Sequence, residues 1–152
     1  MAKTLNKVVD ILETIQTNHG QLNGFVFGQI SDWDDEKLNA TKYPFLMVAP
    51  PEISEVRGQR TYELPIAVAT KIQSDEADRL DAWSDLADVI FDVVNHFRHV
   101  YSDSSDADGV RVENDYEVTI SPFTERLDNM LTGWETILVL KVDSNNNLCL
   151  AP

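Results

Sequence analysis

The sequence has little cysteine and little positive charge. Its single cysteine, Cys149, allows no internal disulfide, so the core alone must hold the fold, as is usual in a reducing cytosol. The chain has 12 basic residues against 26 acidic residues, which gives a formal net charge of −14. Such an acidic surface argues against binding of nucleic acid or anionic lipid by charge attraction, although it can lie beside DNA and repel it.

Long apolar runs and common catalytic motifs are also absent. The N-terminal stretch MAKTLNKVVDILETI is amphipathic rather than continuously apolar, so we expect neither a signal peptide nor a membrane span there. The sequence contains no G-x-S-x-G, P-loop or G-x-G-x-x-G motif. We therefore expect a protein that is not an enzyme.

The length and the apolar content predict a single domain over residues 1–152. A chain of 152 residues with 43% apolar residues can bury roughly 70% of its unfolded surface. That burial suffices for a core without disulfides or metals. We expect residues 144–152 (SNNNLCLAP) to form a flexible C-terminal tail.

The most regular pattern lies between Ser74 and Tyr101 and predicts one long helix. Ser74 is a suitable N-cap, and no glycine or proline interrupts the segment. Apolar residues recur at steps of three and four, which is the period of a helix with one buried face. They are Leu80, Trp83, Leu86, Ala87, Ile90, Val93, Val94, Phe97 and Val100. On the opposite side of the helix lies a line of aspartates, namely Asp78, Asp81, Asp85, Asp88 and Asp92.

The rest of the chain predicts a shorter helix and a sheet. The shorter helix begins at Thr4 and ends before Gly20. Alternating or buried apolar runs predict strands at residues 25–30, 44–51, 61–72, 110–120 and 134–142. The order α-β-β-β-α-β-β indicates an α+β fold, in which an antiparallel sheet of about four to five strands carries both helices on one face.

A β-hairpin is predicted around the turn at Gly58. The stretch EISEVRGQR leads into the third predicted strand, with Gly58 at or near the tip. Pro65 cannot donate a backbone hydrogen bond, which predicts a sheet edge or a bulge at its position. Arg57 and Arg60 make this tip a small basic island on an acidic chain.

Two patterns bear on metal binding, and neither fits well. Asp92, His96 and His99 share one side of the long helix, but the histidines are three residues apart rather than the four of a common metal motif. We interpret them as exposed residues near a helix C-terminus, and a metal-dependent hydrolase is the least favoured function. Residues 104–115 partly match a calcium-binding loop, but a serine and an aspartate replace two required ligands. We therefore predict no metal site.

The line of aspartates has two interpretations. It is either a solvated surface that aids solubility, or a surface that contacts a basic partner or lies beside DNA. A basic hairpin tip that reaches the acidic helix of the next copy would make a head-to-tail contact, which closes into a ring. The interface residues on this hypothesis are Arg57, Arg60, Asp78, Asp81, Asp85, Asp88 and Asp92.

The predicted order of elements and the chain length resemble the tail-terminator and tail-completion proteins of tailed bacteriophages, which join head and tail at the neck. The stretch YPFLMVAPP, a charged turn and TYELPIAVA are similar to the central hairpin of such neck proteins. Phe123-Thr124-Glu125-Arg126, followed by Gly133-Trp134-Glu135 and an alternating strand, is similar to their last hairpin.

The resemblance implies a structural virion protein that assembles in the host cytoplasm and uses no cofactor. Its partners would be copies of itself in a ring, commonly a hexamer, and the neighbouring portal, adaptor or tail-tube proteins. DNA would pass through the ring without specific binding, because a channel lined by carboxylates does not hold the phosphate backbone. The alternative is an acidic DNA mimic or inhibitor that binds a basic host protein.

Overall fold

The computed structural model describes residues 4–28, 42–71, 76–102, 110–112, 117–126 and 130–143. Two helices lie within these ranges, α1 at Thr4–Asn18 and α2 at Glu76–Ser102. The predictions of a first helix that ends before Gly20 and of one long second helix are confirmed. The proposed N-cap at Ser74, the calcium-like stretch at 104–109 and 113–115, and the tail at 144–152 lie outside the described residues.

Seven strands form one sheet and give the fold its α+β class. The strands are β1 at Gly24–Phe27, β2 at Phe45–Val48, β3 at Glu52–Val56, β4 at Gln59–Lys71, β5 at Val110–Val112, β6 at Ser121–Arg126 and β7 at Met130–Asp143. Their order is β1-β2-β4-β7-β5, with β3 paired to β4 and β6 paired to β7. The two long strands, β4 and β7, pair along almost their entire length and form the centre of the sheet.

The sheet is mixed, so the prediction of an antiparallel sheet is wrong in this respect. Strands β1 and β2 run parallel, whereas every other described pair is antiparallel. The apolar pattern identifies a strand and its buried face, but it does not encode the direction in which two strands pair. Residues 28–44 supply the dozen or more residues that a parallel connection needs.

Within the described ranges, the predicted order and strand number are also corrected, to α-β-β-β-β-α-β-β-β with seven strands. Pro50 and Pro51 separate β2 from β3, because proline cannot donate to the sheet, so four strands precede α2. Of the alternating stretch predicted at 110–120, only Val110–Val112 forms a described strand. The segment expected to link the last two strands instead forms β6, which folds back onto β7.

The hairpin prediction is confirmed, and Pro65 lies opposite a bulge between β2 and β3. Four residue steps from Val48 to Glu52 face only three steps from Ile66 to Glu63 on β4, so the register shifts by one residue. At this shift the backbone N–H of Ala49 donates to the carbonyl oxygen of Pro65 at 2.9 Å. The nitrogen of Pro65 points to the same interruption of the pairing, where no N–H donor is required.

Both helices pack on one face of the sheet, as predicted. The main core joins Val8 and Leu12 of α1 and Leu86, Ile90, Val93, Val94 and Phe97 of α2 to the inward side chains of β2, β4 and β7. Strand β7 shows the expected alternation, with Thr136, Leu138, Leu140 and Val142 buried. The described residues contain no helix that is long and apolar enough to cross a membrane.

The predicted apolar stripe of α2 is correct at its centre and wrong at its ends. Leu80 is 64% exposed and Val100 is also exposed, whereas Val89, which the stripe omits, is buried. Leu80 and Val100 lie in the first and last turns of a 27-residue helix, which extend beyond the apolar surface that the sheet offers. Periodicity alone cannot locate that limit, because it reports direction around the helix axis and not the extent of the partner.

The opposite face of the sheet, which we call the outer face, is covered only in part. At one end a smaller cluster buries Phe45, Met47, Ala67, Ala69 and Leu131. The ring of Tyr43 packs edge-on against Phe45, and burial raises the pKa of the Tyr43 hydroxyl. Further along β7, Ile137 is 49% exposed on the same face.

Candidate subunit-contact surfaces

The tip of the β3–β4 hairpin exposes both charged and apolar side chains. All five residues of β3 are exposed, including the apolar Ile53 and Val56, the latter at 69%. Arg57 and Gly58 form the two-residue turn, with positive φ values of 51° and 78°. Positive φ at both positions is typical of a type I′ turn, whose twist matches that of the paired strands.

Arg57 occupies a backbone conformation that its side chain does not favour. Asparagine, aspartate or glycine is the usual residue at this turn position, because other side chains crowd the following carbonyl in the left-handed region. Arg57 is exposed and makes no ion pair with any residue that the structure describes. Strained residues of this kind cluster at sites that bind a ligand or a partner.

The second arginine of the tip is held locally. The Nε of Arg60 lies 3.8 Å from Oε1 of Glu55, its partner across the two strands, and both side chains are about half exposed. An exposed pair at this distance adds less than about 1 kcal/mol to stability. The two predicted arginines therefore differ, since Arg60 is already paired and Arg57 is available for a contact.

The predicted aspartates of α2 lie on its solvent side. Asp81, Asp85, Asp88 and Asp92 are all exposed, and we call these four residues the acidic face. The backbone of Asp78 belongs to the same helix, but its side chain lies outside what the structure describes. Exposed Leu80 and Phe91 lie beside the acidic face, so this side of the helix is partly apolar as well.

The three histidines of the chain meet between the ends of α1 and α2. His19, His96 and His99 line a shallow groove of about 460 Å³, together with Thr14, Ile15, Asn18, Gly20 and Val100. The Nδ1 of His19 accepts a hydrogen bond from the backbone N–H of Gln21 at 3.2 Å, so the ring N–H of this tautomer is on Nε2. That Nε2 donates to Oδ2 of Asp92 at 3.3 Å. Asp92 thus contacts His19, a residue 73 positions away that no local pattern points to.

The histidines do not form a metal site in the part of the chain that is described. No group of three or more His, Cys, Asp or Glu residues has a geometry that could hold a metal ion there. His96 and His99 are exposed, as the helix position predicts. The Asp92–His96–His99 triad of the metal hypothesis is replaced by a single Asp92–His19 contact.

A second, larger groove lies on the outer face of the sheet and is not predicted by the sequence analysis. Its volume is about 660 Å³, and its walls are Pro65, Glu117, Thr119, Ser121, Glu135, Thr136 and Ile137. Glu117 and Glu135 are exposed and make no ion pair within the described ranges, while Pro65 and Ile137 pair across β4 and β7 and form an apolar floor. The alternation of β7 predicts that Glu135 and Ile137 face outward. It does not predict that residues 117–121 lie beside them and line the same groove.

No model of a known protein family matches the chain, and no curated protein sequence is significantly similar to it.

Proposed function

We propose that this protein is a structural subunit of a ring at the head–tail junction of a tailed phage, through which DNA passes. The resemblance of the sequence to tail-terminator and tail-completion proteins motivates the assignment. Support from the described residues comes from two surfaces of opposite charge on one subunit, a basic hairpin tip and an acidic remainder. The observation that carries the proposal is Arg57, an exposed arginine at a strained turn that has no ion-pair partner among the described residues.

Opposite charges on separate surfaces favour a head-to-tail contact. When one surface of a subunit binds a different surface of the next, each added copy presents the same unoccupied surface again. Such a contact forms a ring if the rotation per copy closes and a filament if it does not. A symmetric dimer, by contrast, uses both contacts within one pair when each tip meets the acidic surface of the other copy, and it stops at two copies.

The acidic face of α2 has a separate role in this proposal, as a wall beside the DNA path. Four aspartates within 12 residues give this side of the helix a single sign of charge. Carboxylates repel the phosphate backbone over a Debye length of roughly 8 Å at physiological salt. A channel lined in this way lets DNA slide without binding it.

The assembly state of the purified protein tests the proposal. Light scattering coupled to size-exclusion chromatography measures the mass of the wild-type chain, alone and mixed with portal, adaptor or tail-tube proteins. We expect a closed multimer, most simply a hexamer, under at least one of these conditions. A monomer or dimer under all of them contradicts the proposal.

The exposed acidic face also supports a second candidate, an acidic inhibitor that imitates DNA. Carboxylates spaced along a helix can replace phosphates in the binding site of a basic host protein. This candidate predicts a monomer or dimer that displaces DNA from a basic protein, with an affinity that falls as salt rises. Neutralising Asp81, Asp85 and Asp88 to asparagine would abolish that displacement, whereas it would leave ring assembly intact.

A further inference from the structure

The hairpin tip and the outer-face groove are complementary in charge and in apolar character. The tip presents Arg57 next to Val56, and the groove presents Glu117 and Glu135 above a floor of Pro65 and Ile137. None of the three charged residues makes an ion pair with a described residue. A guanidinium group can engage carboxylates through several N–H donors at once, which makes arginine well suited to such a site.

The tip cannot enter the groove of its own subunit. Strand β4 pairs with β7 continuously from Gln59 to Lys71, so the tip is fixed in line with the sheet. Gln59 and Pro65 are six residue steps apart, which corresponds to roughly 20 Å along an extended strand. The tip that fills the groove must therefore come from another copy.

We propose that the hairpin tip of one copy inserts into the outer-face groove of the next copy. The Arg57 guanidinium then lies between the Glu117 and Glu135 carboxylates, and Val56 covers Ile137 and Pro65. This inference rests on the proposed ring and names the surface that accepts the hairpin. The acidic face of α2 is the competing acceptor, but a helix surface is convex and spreads its aspartates over several turns, whereas a two-residue turn fits a concave groove.

The choice of arginine at the tip is consistent with this contact. Asparagine would satisfy the turn better, so the strain at Arg57 is offset only if the side chain makes a contact elsewhere. The proposal explains that choice by the pair of carboxylates in the neighbouring groove. It also leaves the acidic face of α2 uncovered, as a wall beside DNA requires.

Three variants of the full-length chain test the contact by sedimentation velocity. Arg57→Asn removes the charge and keeps the turn, and Glu117→Gln with Glu135→Gln neutralises the groove at nearly constant shape. Asp85→Asn with Asp88→Asn is the matched control, because it removes the same number of carboxylates from α2. Thermal melts followed by circular dichroism establish that each variant is folded.

We expect the hairpin variant and the groove variant each to weaken self-association at least about 30-fold, and the α2 control to assemble as the wild type does. A mixture of the hairpin variant and the groove variant retains one intact tip and one intact groove. It should therefore form a 1:1 dimer and grow no further. Neither variant should do so alone.

The outcomes separate this inference from the proposed function. Normal assembly of the groove variant, together with loss of assembly in the α2 variant, overturns the groove as acceptor and leaves the ring standing. Loss of assembly in the hairpin variant and in the groove variant, with no 1:1 dimer when these two are mixed, also overturns the groove as acceptor. A wild-type chain that stays monomeric, alone and with neck or tube proteins, overturns the groove contact and the ring together.

Discussion

The indole N–H of Trp134 on β7 donates a hydrogen bond of 2.8 Å to the backbone carbonyl oxygen of Trp83 on α2. The indole N–H of Trp83 in turn donates to the hydroxyl of Thr132 on β7 at 2.7 Å. Two residues that are 51 positions apart thus fasten the long helix to the central strand in both directions. Both indole N–H groups have an acceptor in this partly buried contact, which is the usual condition for burying tryptophan.

Replacement of Trp134 by phenylalanine should destabilise the protein by about 1–2 kcal/mol. Phenylalanine keeps an aromatic ring in the cavity but loses the hydrogen bond to Trp83 and part of the buried area. Urea denaturation of the two proteins measures the difference. Ile137→Val, at an exposed site on the same strand, serves as the control and should change stability by less than about 0.5 kcal/mol. Equal stability of Trp134→Phe and wild type would mean that this contact does not hold the helix.

Replacement of Gly133 by alanine should be far more damaging. A Cβ atom at Gly133 would lie 1.8 Å from the carbonyl oxygen of Val68 and 2.8 Å from the Cα of Ala69, so β4 and β7 would have to separate. We expect a loss of more than about 3 kcal/mol, or a failure to fold, as is usual for overpacking against backbone.

The control for this substitution is Gly20→Ala, just after α1. A Cβ atom at Gly20 meets no heavy atom within 4 Å. Alanine there should be neutral, or stabilising by up to about 1 kcal/mol through the unfolded chain. If the Gly133→Ala protein melts at the same temperature as the wild type, β4 and β7 do not approach each other as closely at Gly133 as this contact requires.

Arg57→Asn should leave the isolated subunit at least as stable as the wild type. Asparagine adopts the left-handed turn conformation at lower cost, so we expect a gain of about 0.5–1 kcal/mol under conditions that keep the protein monomeric. Chemical denaturation at low protein concentration measures it. A clear loss of stability would mean that Arg57 serves the fold of its own subunit and not a contact with another.

Metal ions should have no effect on stability. In the described residues, no three His, Cys, Asp or Glu side chains are placed so that they could hold one metal ion. Adding zinc or a chelator should therefore leave the melting temperature unchanged. His96→Ala should behave as the wild type in both conditions. A zinc-dependent rise in melting temperature that His96→Ala abolishes would revive the metal-enzyme interpretation.

The parts of the fold that follow from local chemistry could be predicted from the sequence. The centre of α2, the alternation of β7 and the turn at Gly58 each depend on neighbours within a few positions, so their patterns are visible in the chain. The irregular pairing opposite Pro65 was also predictable, because proline lacks the N–H that a regular ladder uses.

Features that depend on distant pairings could not be predicted. The parallel direction of β1 and β2, the contact between His19 and Asp92, and the groove floor formed by Pro65 and Ile137 all join residues from separate elements. The interface prediction combines a local feature with one that depends on distant pairings. It names Arg57 from local charge and stays a prediction, and the choice between the acidic face and the outer-face groove as its acceptor turns on the shape of each surface, which local sequence does not encode.

The most direct test of the ring is electron microscopy of the purified wild-type protein, with the tail-tube protein added in a parallel sample. We predict particles of uniform diameter whose class averages show a closed ring with a central channel, alone or at the end of a tube. Compact particles of monomer size in both samples, with no ring among the class averages, would contradict it.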